Sequence, residues 1–525
     1  MSTDRLTVRP VVWAFCLAGL VFSIFVNTIP STFVWDDEQF IYKNTYVTTP
    51  GHTRELLTQN IVAGAGLVSN LYRPVQALSH RLDFLMWGSR SIGHHLSNVL
   101  FHIAAAVMLY FLFLRIFSAV PAFGAALFFA IHPIQTEAVA YISGRGDILA
   151  LFFTCAGLLL FIKKNRGLSL LCAALAVFSK ESHVLFPVFL ALVTWMRREP
   201  LRVKEQAPFW GLSAGYTLLR LTVLNFKNTL NFYSSPNILT QEPLTRVWTY
   251  CTTFPKGLLL WLWPADLHHE RSWSVFASPW VAPVVWGGAL FLVLAVAVWF
   301  FRKKNIVVAA GIIWFFVATF PTSNLLVLIN AIFYDHWFIL PGVGLCLVLG
   351  AVLTFLQKQN KAVRIAAGLA LGFWLAFLAA STVHYNFIWR TPVSLYSYVL
   401  EREPRSAKMS TNLGMALADS GQVEESIQYY QRSISISDEY PQTHHNLGMT
   451  YLALDRDAEA EKEFRRAVEM EPSFFHSWLN LGALAWNRRD FQAAKEAFHH
   501  VLEVNPYSKP AQEALARLEK MSSGG

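Results

Sequence analysis

An all-α, multi-span membrane protein with a soluble helical-repeat tail is the fold class this sequence predicts, on three observations. Of 525 residues, 54% are hydrophobic and only 15% charged, whereas soluble domains carry nearer a quarter charged. Apolar segments of roughly bilayer-spanning length recur from residue 11 to residue 386. Beyond residue 390 the composition turns charged, and a 34-residue pattern repeats three times. The 41 Phe and 18 Trp suit aromatic belts at membrane interfaces. The formal net charge of +9 gathers in short loops between apolar segments, so it marks topology and not a nucleic-acid partner.

Taken in order, the first apolar run, 11–30, lacks a small-residue cleavage site and reads as a retained span. Residues 31–95 follow as a long external segment, wet but aromatic, expected to lie along the membrane surface as short amphipathic helices. Further spans are expected at 96–117, 119–133, 138–162, 168–180, 183–196, 208–225, 279–301, 306–320, 338–357 and 363–386, making about eleven crossings. The basic loops 163–166, 197–204, 302–304 and 357–364 share one side with Arg5 and Arg9 on this count. The acidic segment after residue 30, the 134–137 turn, the 321–336 segment and the C-terminal region then lie outside the cytoplasm. An apolar stretch at 246–263 would break that parity by crossing, so it is expected to be re-entrant or interfacial. Residues 225–245 read as an irregular external loop. Cys16, Cys155, Cys172, Cys251 and Cys346 all lie in or beside apolar runs without a CxxC, which indicates neither a zinc site nor a disulfide framework.

The C-terminal repeat has a clear register. Asn412–Leu413–Gly414 recurs at 446–448 and 480–482, Tyr430 aligns with Phe464 and Phe498, and Ser426 with Ala460 and Ala494. Pro404, Pro472 and Pro506 close units, with Asp438 standing where a proline is expected. This resembles the tetratricopeptide repeat, three units over about 407–506 plus a capping helix. The domains expected are 1–390 in the membrane, including the surface helices of 31–95, and 391–525 as an extracytoplasmic repeat domain.

Ionisable residues crowd the external ends of the spans. They comprise Asp36, Asp37 and Glu38; Arg73; Arg81 and Asp83; His94, His95 and His102; Glu137, Arg145 and Asp147; Lys180 and Glu181; and Asp335 and His336. Charges at membrane depth require partners and are functional candidates for that reason. Such a set is what a reaction on a lipid-linked phosphate requires: cations for the leaving phosphate and a carboxylate for the proton of an incoming hydroxyl. Each group also has a structural reading, the acids as a solvated loop, Arg73 as a snorkelling anchor and His102 as a hydrogen-bonded core histidine. Glu137 and Arg145 are eight residues apart, about 80° around a continuous helix, close enough for an ion pair. Asp455 and Asp457 form a DxD only by chance, within an inter-helix turn. No P-loop, GxGxxG or GxSxG stands in a suitable context.

The motifs FVWDDEQFIYKN (33–44), YRPVQALSHRLDFLMWG (72–88), GHHLSNVLFH (93–102), HPIQTEAVAYISGRGDILALFF (132–153), FSKESH (178–183) and FPTSNLLVLINAIFYDHWFILPGVGLC (320–346), followed by the repeats, carry a resemblance. In this order they resemble the transmembrane-and-tetratricopeptide-repeat O-mannosyltransferase family of the GT-C glycosyltransferase superfamily. The resemblance implies inverting transfer of a sugar from a polyprenyl phosphate carrier to a hydroxyl acceptor, commonly Ser or Thr of a protein presented by the repeats. It places the catalytic base at Asp36 or Asp37, with Asp36 favoured. Arg73, Arg81, His95, Glu137, Arg145, Asp147, Lys180, Glu181, Asp335 and His336 are then the expected contacts to carrier phosphate or sugar. Family members commonly carry Glu-Arg where this chain has Asp335–His336, which makes any phosphate neutralisation there pH-dependent. Mannose as the sugar follows from kinship alone. No resident cofactor is implied, although a divalent ion between Asp36, Asp37 and a phosphate is compatible with the residues. A bacterial inner membrane, or the endoplasmic reticulum in a eukaryote, is the expected location. The rival readings are a non-catalytic membrane scaffold carrying the repeats, and a GT-C enzyme acting on a glycan or lipid.

Overall fold

The computed structural model describes residues 9–226, 238–329 and 331–523. Arg5 and most of the 225–245 loop, both used in reading topology, lie outside the described residues. No strand occurs among the described residues. The chain divides into two compact units, Met1–Thr391 and Pro392–Gly525.

In the first unit, all eleven apolar segments are helical over most of their length. Among the described residues, six helices are long and apolar enough to cross a membrane: Pro10–Thr28, Ser91–Phe113, Ile142–Ile162, Ala282–Lys304, Asp335–Leu356 and Lys361–Ile388. A seventh candidate is the pair Ala119–Ala130 and Pro133–Ala140, bent by 51° at its break. Arg166–Ser179, Glu181–Met196 and Ile306–Thr322 are apolar but shorter, reaching roughly 20–25 Å against a hydrocarbon core of about 30 Å. The 246–263 stretch is helical within Pro243–Leu262 and is not among the helices long and apolar enough to cross a membrane. Close packing in this unit uses small residues. Helices Ile306–Thr319 and Ile339–Leu356 meet at Gly311 and Gly344. A Cβ on either glycine would lie 2.6 or 2.3 Å from the other's carbonyl oxygen, so any side chain there would push the helices apart.

Residues 31–95 form short helices, as their patterning predicts: Glu38–Tyr42, Thr45–Thr48, Thr53–Thr58, Ala63–Ala65 and Pro74–Trp87. They enclose a small core around Phe40, Ile41, Val47, Leu56 and Ala77, into which Ile142 also packs. The segment 132–150 is not one helix. Thr136–Ala140 ends at Tyr141, whose backbone is extended (φ −86°, ψ 114°), and the chain resumes through Ile142–Gly144 into Arg145–Ile162. That break puts Glu137 and Arg145 in different surroundings.

The second unit stacks helix pairs: Ala407–Asp419 with Val423–Ile436, Pro441–Leu452 with Asp457–Met470, and Phe475–Asn487 with Phe491–Val504, followed by Lys509–Ser523. The repeated glycines meet the repeated aromatics. A Cβ at Gly414, Gly448 or Gly482 would stand 2.9, 2.7 or 2.6 Å from the ring of Tyr430, Phe464 or Phe498. Ser426, Ala460 and Ala494 are wholly buried in the facing helices. At the first junction Asp438, in place of proline, lies 2.5 Å from His444 Nε2 and accepts from Arg466 at 2.7 Å. The Glu463 carboxylate lies 2.6 Å from the other ring nitrogen of His444. Burial works against a charged His444, but the two carboxylates hold its pKa above the usual histidine value.

Candidate functional site

The acid triplet is shaped by Asp37. Its side chain is wholly buried, and its oxygens accept hydrogen bonds from Val34 N (3.0 Å), Ser143 N (2.8 Å) and Ser143 Oγ (2.6 Å). Asp37 therefore pins the loop after the first span to the turn between Thr136–Ala140 and Arg145–Ile162. Burial pushes its pKa up to about 7, against the pull of those hydrogen bonds. Its neighbour Trp35 is held in left-handed backbone, φ 53°, a conformation costly for a bulky residue and kept only where surroundings enforce it. The resulting bend leaves Asp36 half-buried on the wall of a cleft of about 290 Å³.

Seven of the twelve expected site residues line that cleft: Asp36, Arg73, Glu137, Asp147, Lys180, Glu181 and His336. They arrive from five motifs widely separated in sequence. Arg73 makes a two-pronged contact to Glu181, Nε to Oε2 at 2.9 Å and Nη2 to Oε1 at 2.6 Å. Burial would disfavour its charge, yet the Glu181 carboxylate keeps its pKa above the ordinary arginine value. Lys180 Nζ lies 2.6 Å from both oxygens of Asp147. Glu137 Oε1 accepts from two imidazoles, His336 Nδ1 at 2.6 Å and His269 Nδ1 at 2.8 Å.

The other five stand elsewhere, for definite reasons. Asp37 is the clamp just described, so a cation bridging both aspartates and a phosphate would find only Asp36 on the cleft wall. Arg145 is fully buried, donating to Asn98 Oδ1 (2.5 Å), to the Asp83 carboxylate and to the His94 carbonyl (3.1 Å). It joins three segments of the fold and does not face the cleft. Arg81 donates to the carbonyls of Tyr46, Val47 and Thr49 at 3.4, 2.8 and 2.6 Å, closing the end of a short helix. His95 is buried with Nε2 3.3 Å from the Thr32 carbonyl. Asp335 accepts from His268 N (2.9 Å) and Arg271 (3.2 Å) behind the cleft. His102, with Nε2 2.8 Å from the Ala130 carbonyl, is the core histidine its position suggests. Among the described residues, no three His, Cys, Asp or Glu side chains gather to hold a metal ion.

Sequence reasoning missed His269 and the aromatic lining of Trp35, Tyr141, Tyr334 and Trp337. The available signal was DLHHER, 266–271, an ionisable run directly after an apolar helix and of the same kind as those singled out elsewhere. Trp35, Tyr141, Tyr334 and Trp389 surround His269 with ring centroids at 4.6, 6.0, 5.8 and 5.4 Å.

Fold and cleft together define a class: a polytopic helical membrane protein with a tetratricopeptide-repeat module and a cleft of paired acids and bases. Two tetratricopeptide-repeat family models match residues 405–472 and 445–503. Over 96% of its length the chain is 23% identical to human protein O-mannosyl-transferase TMTC3, and over 80% it is 24% identical to the Caenorhabditis elegans protein O-mannosyl-transferase F38B6.6. It covers 62% of each of those relatives, so it spans about three fifths of the length of the curated proteins it matches. A 137-residue stretch is 37% identical to Drosophila melanogaster Tmtc1, over 25% of this chain and 16% of that protein. The solved structure of MamA aligns at 17% identity and a TM-score of 0.24, over 25% of this chain and 77% of that one. The likeness to transmembrane-and-tetratricopeptide-repeat proteins thus runs nearly the whole chain.

Proposed function

We propose that the protein is a membrane glycosyltransferase that moves a sugar from a polyprenyl phosphate carrier to a hydroxyl of a protein, with inversion. The observation carrying this reading is the convergence in one cleft of Asp36 with Arg73, Lys180 and His336. The named activity of the relatives supports it, and mannose is the sugar they suggest. In this mechanism Asp36 takes the proton of a Ser or Thr hydroxyl as its oxygen attacks the anomeric carbon. The carbon–phosphate oxygen bond breaks and polyprenyl phosphate departs with the electron pair. Arg73 and Lys180 meet the charge growing on that phosphate, an interaction stronger in the transition state than with bound donor. Glu181 and Asp147 hold the two cations in place, and Glu137 orients the histidines. The repeat domain supplies an extended surface for the acceptor polypeptide.

The test is transfer from defined polyprenyl phosphosugars to protein or peptide acceptors by purified full-length protein, wild type beside Asp36→Asn. Loss of a general base lowers the rate by about 10²–10⁴-fold, with unchanged thermal melting. Full transfer by Asp36→Asn, or wild-type inactivity across a broad panel of donors, overturns the reading.

A further inference from the structure

His269 and His336 share one carboxylate oxygen, and that geometry has chemical consequences. An ionised carboxylate is acceptor-only, so each ring must place a hydrogen on Nδ1 to bond Glu137 Oε1. Protonation at Nε2 is then what charges either ring. One carboxylate against two imidazoles is neutral with one ring protonated and cationic with both. The rings come from segments 67 residues apart in sequence, and both line the cleft that holds Asp36, Arg73 and Lys180. His269 further packs among four aromatic rings with centroids within 6.0 Å, Tyr334 stacked on it and Trp35, Tyr141 and Trp389 meeting it in T-shaped geometry.

We propose that His269 and His336, oriented by Glu137, form a proton-operated clamp for the phosphate of the lipid-linked donor, making His269 a donor-binding residue and Glu137 a positioning residue. The proposal rests on the glycosyltransferase reading and deepens it. The groups around the pair are known. Asp36 and Glu270 add negative potential at His269, as Glu137 does, and together they outweigh the burial that disfavours its charged form, holding its pKa above the usual histidine value. Tyr141, Tyr334, Trp35 and Trp389 face the His269 ring, while Tyr334 and Trp337 flank His336, at 5.5 and 6.3 Å. Asp335, one residue from His336, is engaged by Arg271. Protonated rings add to Arg73 and Lys180 a positive charge that a phosphodiester can use; neutral rings remove it.

The experiment measures affinity of the full-length protein in nanodiscs for a short-chain polyprenyl phosphosugar from pH 5.5 to 8, read by quenching of cleft tryptophan fluorescence. A phosphodiester keeps its single charge over that range, so a slope reports protein groups. Wild-type dissociation constants rise about tenfold or more across it, as expected when one proton is linked to binding. His336→Arg and His269→Asn each give a shallower slope, and the double variant is flat. Asp37→Asn keeps the wild-type slope, which separates the pair from that buried carboxyl, which also titrates near neutrality. Wild-type binding that is tight but independent of pH overturns the clamp while leaving the glycosyltransferase reading intact, and so does a double variant with an unchanged slope. Absence of binding at every pH overturns both.

Discussion

At the scale of single residues, neighbours in the acid triplet have opposite fates. Asp36 borders the cleft, whereas Asp37 is consumed by three hydrogen bonds that hold the loop in shape. Adjacent aspartates look alike in sequence, and only the turn forced by Trp35 and Ser143 separates them. Asp37 binds its proton more tightly folded than unfolded, its pKa rising from 3.8 to about 7. The native state therefore holds the extra proton between those values, and stability falls as pH rises through that window, whereas below pH 4 the group carries no such penalty. Asp37→Asn, neutral throughout, is expected to flatten this part of the melting temperature against pH, as measured by thermal unfolding in detergent. An unchanged profile would show that Asp37 is ionised without cost.

At the scale of elements, the repeats offer the sharpest test. The ring of Phe498 fills the space beside Gly482, so Gly482→Val forces the paired helices apart and costs about 1–3 kcal/mol. That cost appears as earlier unfolding and faster proteolysis within 475–504 of the intact protein, and Phe498→Leu in the same chain restores part of it. This pairing was legible beforehand, because glycine and aromatic recur at the same spacing in every unit. The apolar helices were legible too, since each apolar run had to become a helix to satisfy its backbone in lipid. What could not be read was partnership. Arg145 finds Asp83 and Asn98, and Glu137 finds His269, across 62, 47 and 132 residues. The helical spacing argument for Glu137 with Arg145 failed because the chain breaks at Tyr141. Span count suffered differently: composition identifies apolar helices well but does not say whether a short one crosses.

At the scale of the whole molecule, the proposed reaction requires the cleft and the repeats to face the same compartment. A membrane-impermeant thiol reagent checks this on variants bearing a single added cysteine at an exposed position. Thr32 and Ser420 are exposed, as is Lys303. Cysteines at 32 and 420 are expected to label from the extracytoplasmic side of sealed vesicles, and one at 303 from the other. Labelling of 32 and 420 from opposite sides would remove the repeats from acceptor delivery.

Arg73 and Lys180 greet any visitor already holding Glu181 and Asp147. Ordinary anionic headgroups vastly outnumber any rare carrier in a bilayer, and an unaccompanied guanidinium at the rim would be occupied by them continually. Because both cations are engaged beforehand, an intruding headgroup must compete with a carboxylate at close range and finds little net attraction. Under the proposed reaction, a donor that also brings an isoprenoid chain and a sugar adds the contacts needed to win that competition. In that reaction the resting pairs would act as a filter against the commonest lipids in the membrane.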